Sequence, residues 1–455
     1  MPAHRFDKPG VPKWGRTMRQ AGQHAGATRL PFYYGWAIVA VAFVTTAIAV
    51  NARTSFSLLL PPMLNEFGWN DSVTAGAFSF GFLVTAFLSP LLGPLMERLG
   101  ARLVMELGVI CLAAGLLLAS LASEPWHIYA TLGVLVAVGG VSLGFTGQGL
   151  LLPAWFVRRR GLAMSIAFSG VGVGSIVMMP WLQAIIGTMG WRAACWRLGL
   201  LTLVVLVPIN LLMRRRPEDL GLAPDGRDVS VPGGDLPRRA PGPAADWTLR
   251  RALRTERFWW LAAGYFSATY VWYAVQVHQS KYLLEVGFSP REAAWALGFV
   301  SLAGVPGQIA LGQLSDRVGR RWVWVIGNGG FLAACAALLL LHDHPSQFLL
   351  YAMVGAQGFL GYGLISVLGA IPAELFEGRR SGTIFGTVML AASIGGAAGP
   401  WVTGALHGHT GSYALAFWGC GGLSVLSAAA VWRAIALWRD ASNPTQIAEP
   451  AGNLV

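Results

Sequence analysis

The sequence predicts an all-α membrane protein with twelve transmembrane helices in two pseudo-symmetric six-helix bundles. Three observations carry that prediction. Of 455 residues, 55% are hydrophobic and 12% charged, about half the charge content of a soluble domain, which is ~25%. Twelve runs reach the ~20 mostly apolar residues needed to cross a bilayer core. The second six runs repeat motifs of the first six, in the same order.

The runs fall at 34–61, 72–95, 102–122, 127–151, 162–186 and 192–213, then at 258–284, 292–314, 322–341, 347–372, 382–406 and 412–437. Backbone groups in lipid must be paired within their own segment, so these runs are helices. Residues 1–31 are polar, basic and rich in Gly and Pro, without a convincing signal-peptide cleavage site, and read as a disordered cytoplasmic tail. The first bundle spans 32–213, a Pro-, Gly- and charge-rich flexible linker 214–257, the second bundle 258–438, and a second tail 439–455.

Lys and Arg number 33 against 21 Asp and Glu, a formal charge of +12. In a soluble protein this would suggest nucleic acid. Here all the bases except Arg53, Arg192, Arg197, Lys281 and Arg291 fall in the tails and in the connections on one side. The positive-inside rule then accounts for the charge: both termini are cytoplasmic, the protein is multi-pass in the cell (inner) membrane, and no nucleic-acid partner is expected. The lipid bilayer is the expected surrounding, and a monomer the expected state. Cys111, Cys195, Cys335 and Cys420 sit in apolar runs without metal-ligand spacing. No metal and no organic cofactor is expected, and no nucleophile with a base or phosphate-cradling loop suggests an enzyme.

The repeat is specific. "GPLMERLGAR" from Gly93 and "GQLSDRVGRR" from Gly312 share Gly, acid, Arg, Gly and Arg, and the same offset aligns Gly68 with Gly287. "GFTGQGL" from Gly144 answers "GFLGYGL" from Gly358, and "RRRGLAMS…MMPW" answers "RRSGTIFG…AGPW". A parallel repeat of six helices is a transporter signature, with the site expected at mid-membrane between the halves.

From about Tyr33 to Trp438 the chain resembles the major facilitator superfamily. Gly312, Asp316, Arg317, Gly319, Arg320 and Arg321 closely match that family's signature loop; the first copy, Gly93, Glu97, Arg98, Gly100 and Arg102, has Glu97 where the family usually has Asp. "YYGWAIVAVAF", "SFSLLLPPMLNEFGW", "WFVRRRGLAMSIAFSG" and "RRPEDLGLAPDG" resemble its monocarboxylate-type and oxalate/formate-antiporter-like bacterial branch. The resemblance implies a cytoplasmic latch at the signature loops, favouring the outward-open state. The plain alternative is that these are turn residues and topology markers.

Arg53 is the deep charge. It lies about eight residues inside the Pro61–Pro62 pair, ~12 Å at 1.5 Å per residue. A charge there costs at least ~2.5–3.5 kcal/mol on insertion scales and demands a cavity or a partner. No Asp or Glu stands in the central part of any predicted helix. The expected counter-ion is therefore the substrate, a small organic anion whose carboxylate matches the guanidinium fork. Snorkelling, or capping of backbone carbonyls, is the structural alternative.

His278, in the outer part of the seventh helix, has the ordinary pKa range of a proton carrier, and the related transporters often have a histidine hereabouts; a hydrogen-bonded vestibule residue is the competing reading. Gln148 and Tyr362 occupy equivalent positions of the "GFxGxGL" repeats and are candidates to face the pore, with Asn51, Tyr270, Tyr273 and Gln276 as weaker ones. Gln308 stands where the resemblance would place an arginine, and the eleventh helix lacks the lysine of an oxalate-type exchanger. One deep cation favours a monoanion over a dicarboxylate. The function expected is a secondary transporter of a small monocarboxylate by alternating access, with proton symport. Anion exchange, export of an amphiphilic compound, or a membrane sensor that does not transport stay open.

Overall fold

The computed structural model describes residues 33–67, 71–214, 216–220, 222–226, 247–378 and 381–441. The tail 1–31, the middle of the linker, Gly68, Arg215, Arg379, Arg380 and residues 442–455 lie outside them. No strand occurs among the described residues.

Ten helices among the described residues are long and apolar enough to cross a membrane. Two details of the chain raise the number of long segments to twelve. The 51-residue helix Arg160–Asn210 is two helices, because Gly190 sits at φ 83°, ψ 169° inside it. Glu256–Glu285 has the length of a span but carries Arg257, Gln276, His278, Gln279 and Lys281, so composition alone passes it over.

In chain order the segments are α1 (Tyr34–Thr54), α2 (Asp71–Leu99) and α3 (Ala101–Ala119). Then come α4 (Pro125–Trp155), α5 (160–189) and α6 (191–210). The second half holds α7 (Glu256–Glu285), α8 (Pro290–Val318), α9 (Arg320–Asp343), α10 (Gln347–Leu375), α11 (Ser381–Thr410) and α12 (Ala414–Ala441). Each half has its own apolar core, one running from Ile38 to Met213 with Ala370 added, the other from Ala252 to Ile435. The end of the bundle that carries the signature loops is termed the basic end.

The first helix is longer than the run of 34–61 suggested. After α1 the assigned helix is interrupted only at Ser55, whose backbone stays right-handed helical, and it continues as Phe56–Phe67 through Pro61 and Pro62. Side chains near Ser55 bond back to the helix: Asn51 Nδ2 to the Ala47 carbonyl (2.8 Å), Thr54 Oγ1 to Val50 (2.9 Å) and Ser55 Oγ to Ala52 (2.7 Å). Such back-bonding competes with the ladder and bends helices. Arg53 lies in the last turn of α1 just before Ser55, and its distance from Phe67 is about 21 Å at 1.5 Å per residue.

The signature loops are tight turns. Gly100 and Gly319 sit at φ 85° and 98° at the α2–α3 and α8–α9 junctions, a region that any Cβ disfavours. Between the halves, α2 crosses α11 and α5 crosses α8, both through small residues. A Cβ on Gly93 would collide with the backbone of Gly382, one on Gly161 with the carbonyl of Gly312, and one on Gly386 with the carbonyl of Ser89. The repeated motifs are thus the points where the two bundles touch.

The linker's described ends are docked, unlike the flexible tether that its composition suggests. Asp225 accepts hydrogen bonds from the backbone N–H of Val157 (3.2 Å) and Arg158 (3.0 Å) in the α4–α5 loop. Trp155 Nε1 donates to the Arg214 carbonyl (3.2 Å). At the other end Trp247 packs edge-on to Phe376 under the guanidinium of Arg257.

Candidate functional site

Arg53 is partly buried, and its guanidinium lies 4.2 Å over the ring of Phe82 on α2. Phe82 in turn meets Tyr273 of α7 edge-on, with ring centroids 5.8 Å apart. A cation, an aromatic face and a phenol therefore run in sequence from one half to the other. Nη2 of Arg53 is buried without a hydrogen-bond partner among the described residues, and none of the ion pairs among them includes Arg53. A cation over a desolvated ring recovers ~2 kcal/mol, which offsets part of the burial but supplies no acceptor for the free N–H. The void beside it, lined by Ala52, Phe56, Leu59, Gly81, Leu132 and Val136, is about 10 Å³, at the ~10–15 Å³ limit for a single water.

Around this group the other candidates divide. On α7 and α10 of the second half, Tyr273 packs on Gly396, Gln276 accepts from Gln357 Nε2 (3.4 Å), and Tyr362 meets Trp272 at a tilt, ring centroids 4.6 Å apart, beside Gly304. Gln357, which sequence reasoning passed over, is fully buried with its Oε1 unpartnered, inside a π-helical turn, Ala356–Gly361. In the first half the matching motif breaks α4 at Gly144, and Gln148 Nε2 reaches the Leu143 carbonyl (3.4 Å) beside that break. The "GFxGxGL" pair is therefore a helix interruption in both halves, and interruptions of this kind concentrate at functional sites.

Asn51 and Gln308 are interhelical struts. Asn51 Nδ2 also donates to the Val171 carbonyl of α5 (2.9 Å), and Gln308 Nε2 crosses between the halves to the Ser165 carbonyl (3.1 Å). Tyr270 lies on α7 against the backbone-close approach of Gly399. His278 stays within the second half: Nε2 faces the Pro400 carbonyl (2.9 Å), so it carries the proton, and Nδ1 faces the Tyr413 hydroxyl (3.3 Å). Tyr413 stacks on His407, which bonds Glu285 (3.2 Å).

At the basic end, Asp316 accepts from the backbone N–H of Gly161 (2.9 Å) and Leu162 (3.0 Å), the first turn of α5 in the opposite half. A carboxylate on the positive end of a helix is stabilised there. Arg320 pairs with Asp316 and donates from Nε to Glu374 (3.0 Å) and from Nη1 to Ser315 Oγ (2.9 Å). Arg321 lies 4.5 Å over Trp432. The first-half copy faces α11: Gly93 and Glu97 line a cavity of about 240 Å³ together with Arg160, Arg216, Glu377, Ser381 and Gly382. Asp316 thus joins the halves, and Arg320 holds it in place from within the second half. Arg98, Arg102 and Arg317 make no ion pair among the described residues. Glu374, on α10, carries no signal in the sequence, and only the fold shows that it meets Arg320.

The Major Facilitator Superfamily family model matches residues 42–289 and 279–452. Monocarboxylate transporter 13 of Bos taurus is 30% identical over 390 residues, 84% of this chain and 85% of the relative. Monocarboxylate transporter 12 of Homo sapiens is 25% identical over 436 residues, 91% and 83% of the two chains. Among solved structures, the human organic anion transporter MFSD10 (TETRAN) superposes with a TM-score of 0.65 at 18% identity, covering 88% of this chain and all of that one. The proton:xylose symporter XylE superposes at 0.64 with 14% identity, covering 89% and 99%. These two show the fold. With the helix repeat, the joined signature loops and the matched relatives together, the chain belongs to the major facilitator superfamily as a multi-pass membrane transporter of the monocarboxylate-transporter type.

Proposed function

We propose that the protein carries a small organic monocarboxylate across the cell membrane by alternating access, with Arg53 as the group that receives the carboxylate. The observation that carries this reading is the unpartnered Nη2 of Arg53 in an apolar setting, stacked on Phe82 and facing Tyr273 across the halves. The similarity to monocarboxylate transporters 12 and 13 supports the same substrate class. A void of about 10 Å³ holds no carboxylate, so the substrate must enter in another conformation, and the glycine crossings of α2 with α11 and α5 with α8 are the surfaces on which the halves rock. The bonds of Asp316 to the start of α5, with Arg320 holding the carboxylate, then close the basic end, which on this reading faces the cytoplasm.

Gln308, buried and bonded to Ser165, adds no second cation, which favours a monoanion. Proton symport is the coupling proposed, with His278 as carrier. Protonation of Nδ1 would turn its bond to Tyr413 around and disturb the stack of Tyr413 on His407 within reach of Lys281 and Glu285. The protein is proposed to act as a monomer without a cofactor.

The test is uptake of labelled carboxylates into proteoliposomes, with and without a pH gradient. Saturable accumulation driven by inward-directed protons is expected. Accumulation lost in Arg53→Gln and partly kept in Arg53→Lys supports the assigned role; unchanged affinity in Arg53→Gln overturns it. Uptake that needs a trans carboxylate and ignores the gradient replaces symport by exchange.

A further inference from the structure

A second charged cavity lies at the rim of the basic end, separate from Arg53. It measures about 500 Å³ and is lined by Arg158 of the α4–α5 loop, Asp316 and Arg320 at the α8–α9 turn, Arg321 of α9, Glu374 of α10, and Trp438 and Arg439 of α12. Two carboxylates and four guanidiniums face it. Arg320 takes up both carboxylates, by its pair with Asp316 and its bond to Glu374. Arg158, Arg321 and Arg439 then remain without an ion pair among the described residues, three cations around one opening. The Nε of Arg321 is buried and unpartnered there, while its guanidinium is held over Trp432. Trp322 packs edge-on to Trp432 at 4.9 Å, and indole rings of this kind collect at headgroup depth.

We infer that this cavity binds a phosphate group, presented by an anionic phospholipid headgroup, and that the bound phosphate ties Arg158 of the first half to Arg321 and Arg439 of the second. Three forked donors suit the several acceptor oxygens of a phosphate better than they suit any neutral headgroup. Basic pockets between helices on the cytoplasmic side are known binding places for such lipids. The cations come from both halves in the conformation in which Asp316 caps α5, so an occupied cavity favours closure of the basic end.

The test uses the full-length protein in detergent after lipid removal, with phosphatidylglycerol or phosphatidylcholine added and the retained lipid read by native mass spectrometry. Selective retention of phosphatidylglycerol is expected. In Arg321→Gln/Arg439→Gln it should weaken roughly thirtyfold, the loss that two arginines at a membrane surface would produce, while Arg102→Gln, which removes a basic-end charge outside the cavity, should leave it near the parent value. Equal weakening in the two variants would mean diffuse surface attraction and would overturn the site. A parallel arm adds inorganic phosphate in place of lipid: displacement of phosphatidylglycerol by it assigns the cavity to soluble phosphate, and failure to displace assigns it to the headgroup. Both outcomes keep the phosphate chemistry, and selectivity for neither anion rejects it. Folding of the double variant is checked by its elution as a single monodisperse species and by a melting temperature close to the parent's.

Discussion

Arg53 keeps a buried N–H without an acceptor in this conformation, and a hydrogen bond made to a charged group is worth ~1.5–3 kcal/mol. Arg53→Gln should therefore raise the KM for a carboxylate by about ten- to a hundredfold, read from uptake at several concentrations. Phe82→Leu removes the ring face and should raise it by less, up to about thirtyfold, with Phe82→Tyr close to the parent. His278→Ala is expected to abolish accumulation against a gradient while leaving carboxylate exchange intact; loss of both together would assign His278 a packing role. Arg53 was legible in the sequence because a guanidinium in an apolar run needs an explanation. Phe82 and Gln357 were not, since a phenylalanine in a membrane helix and a glutamine in a glycine-rich one carry no signal until the bundle sets them beside Arg53 and Gln276.

The elements were largely legible from apolar length, and their ends were not. The Phe56–Phe67 extension crosses the Pro61–Pro62 pair that reads as a stop, because a helix tolerates proline where the freed carbonyls find other partners. This extension is stapled at its far end: Glu66 pairs with Arg192 and accepts from Trp191 Nε1 (2.6 Å), and Arg192 also donates to the Ala122 carbonyl (3.0 Å). The bond from Arg192, then that from Trp191, holds the Glu66 carboxyl below the usual carboxylate range. A lowered folded pKa stabilises above the unfolded value and loses that contribution as pH falls through the folded one. With both partners more than a third exposed, the staple is worth at most about 1 kcal/mol. Glu66→Gln should thus lower the melting temperature slightly at pH 7, with the gap to the parent closing below about pH 4. Asp225 likewise holds the start of the linker on the α4–α5 loop, so Asp225→Ala should speed trypsin cleavage among Arg158, Arg159 and Arg160, measured as the half-life of the intact chain.

At the scale of the whole molecule, the repeat was read correctly as a parallel duplication, yet sequence could not say that its motifs are where the halves meet. Gly93 against Gly382 and Gly161 against Gly312 are backbone contacts, and only a folded bundle shows which glycine faces which. Gly161→Val should wedge α5 from α8 and expose the basic-end cavity. Ala154→Cys, lining that cavity, should then react faster with a water-soluble maleimide than in the otherwise native background, and uptake should fall. The void of about 10 Å³ at Arg53 has an electrical meaning as well. A void of that size takes one water at most, too little for a column of water beside the guanidinium, and a membrane loaded with the protein should hold its voltage when no cargo is offered.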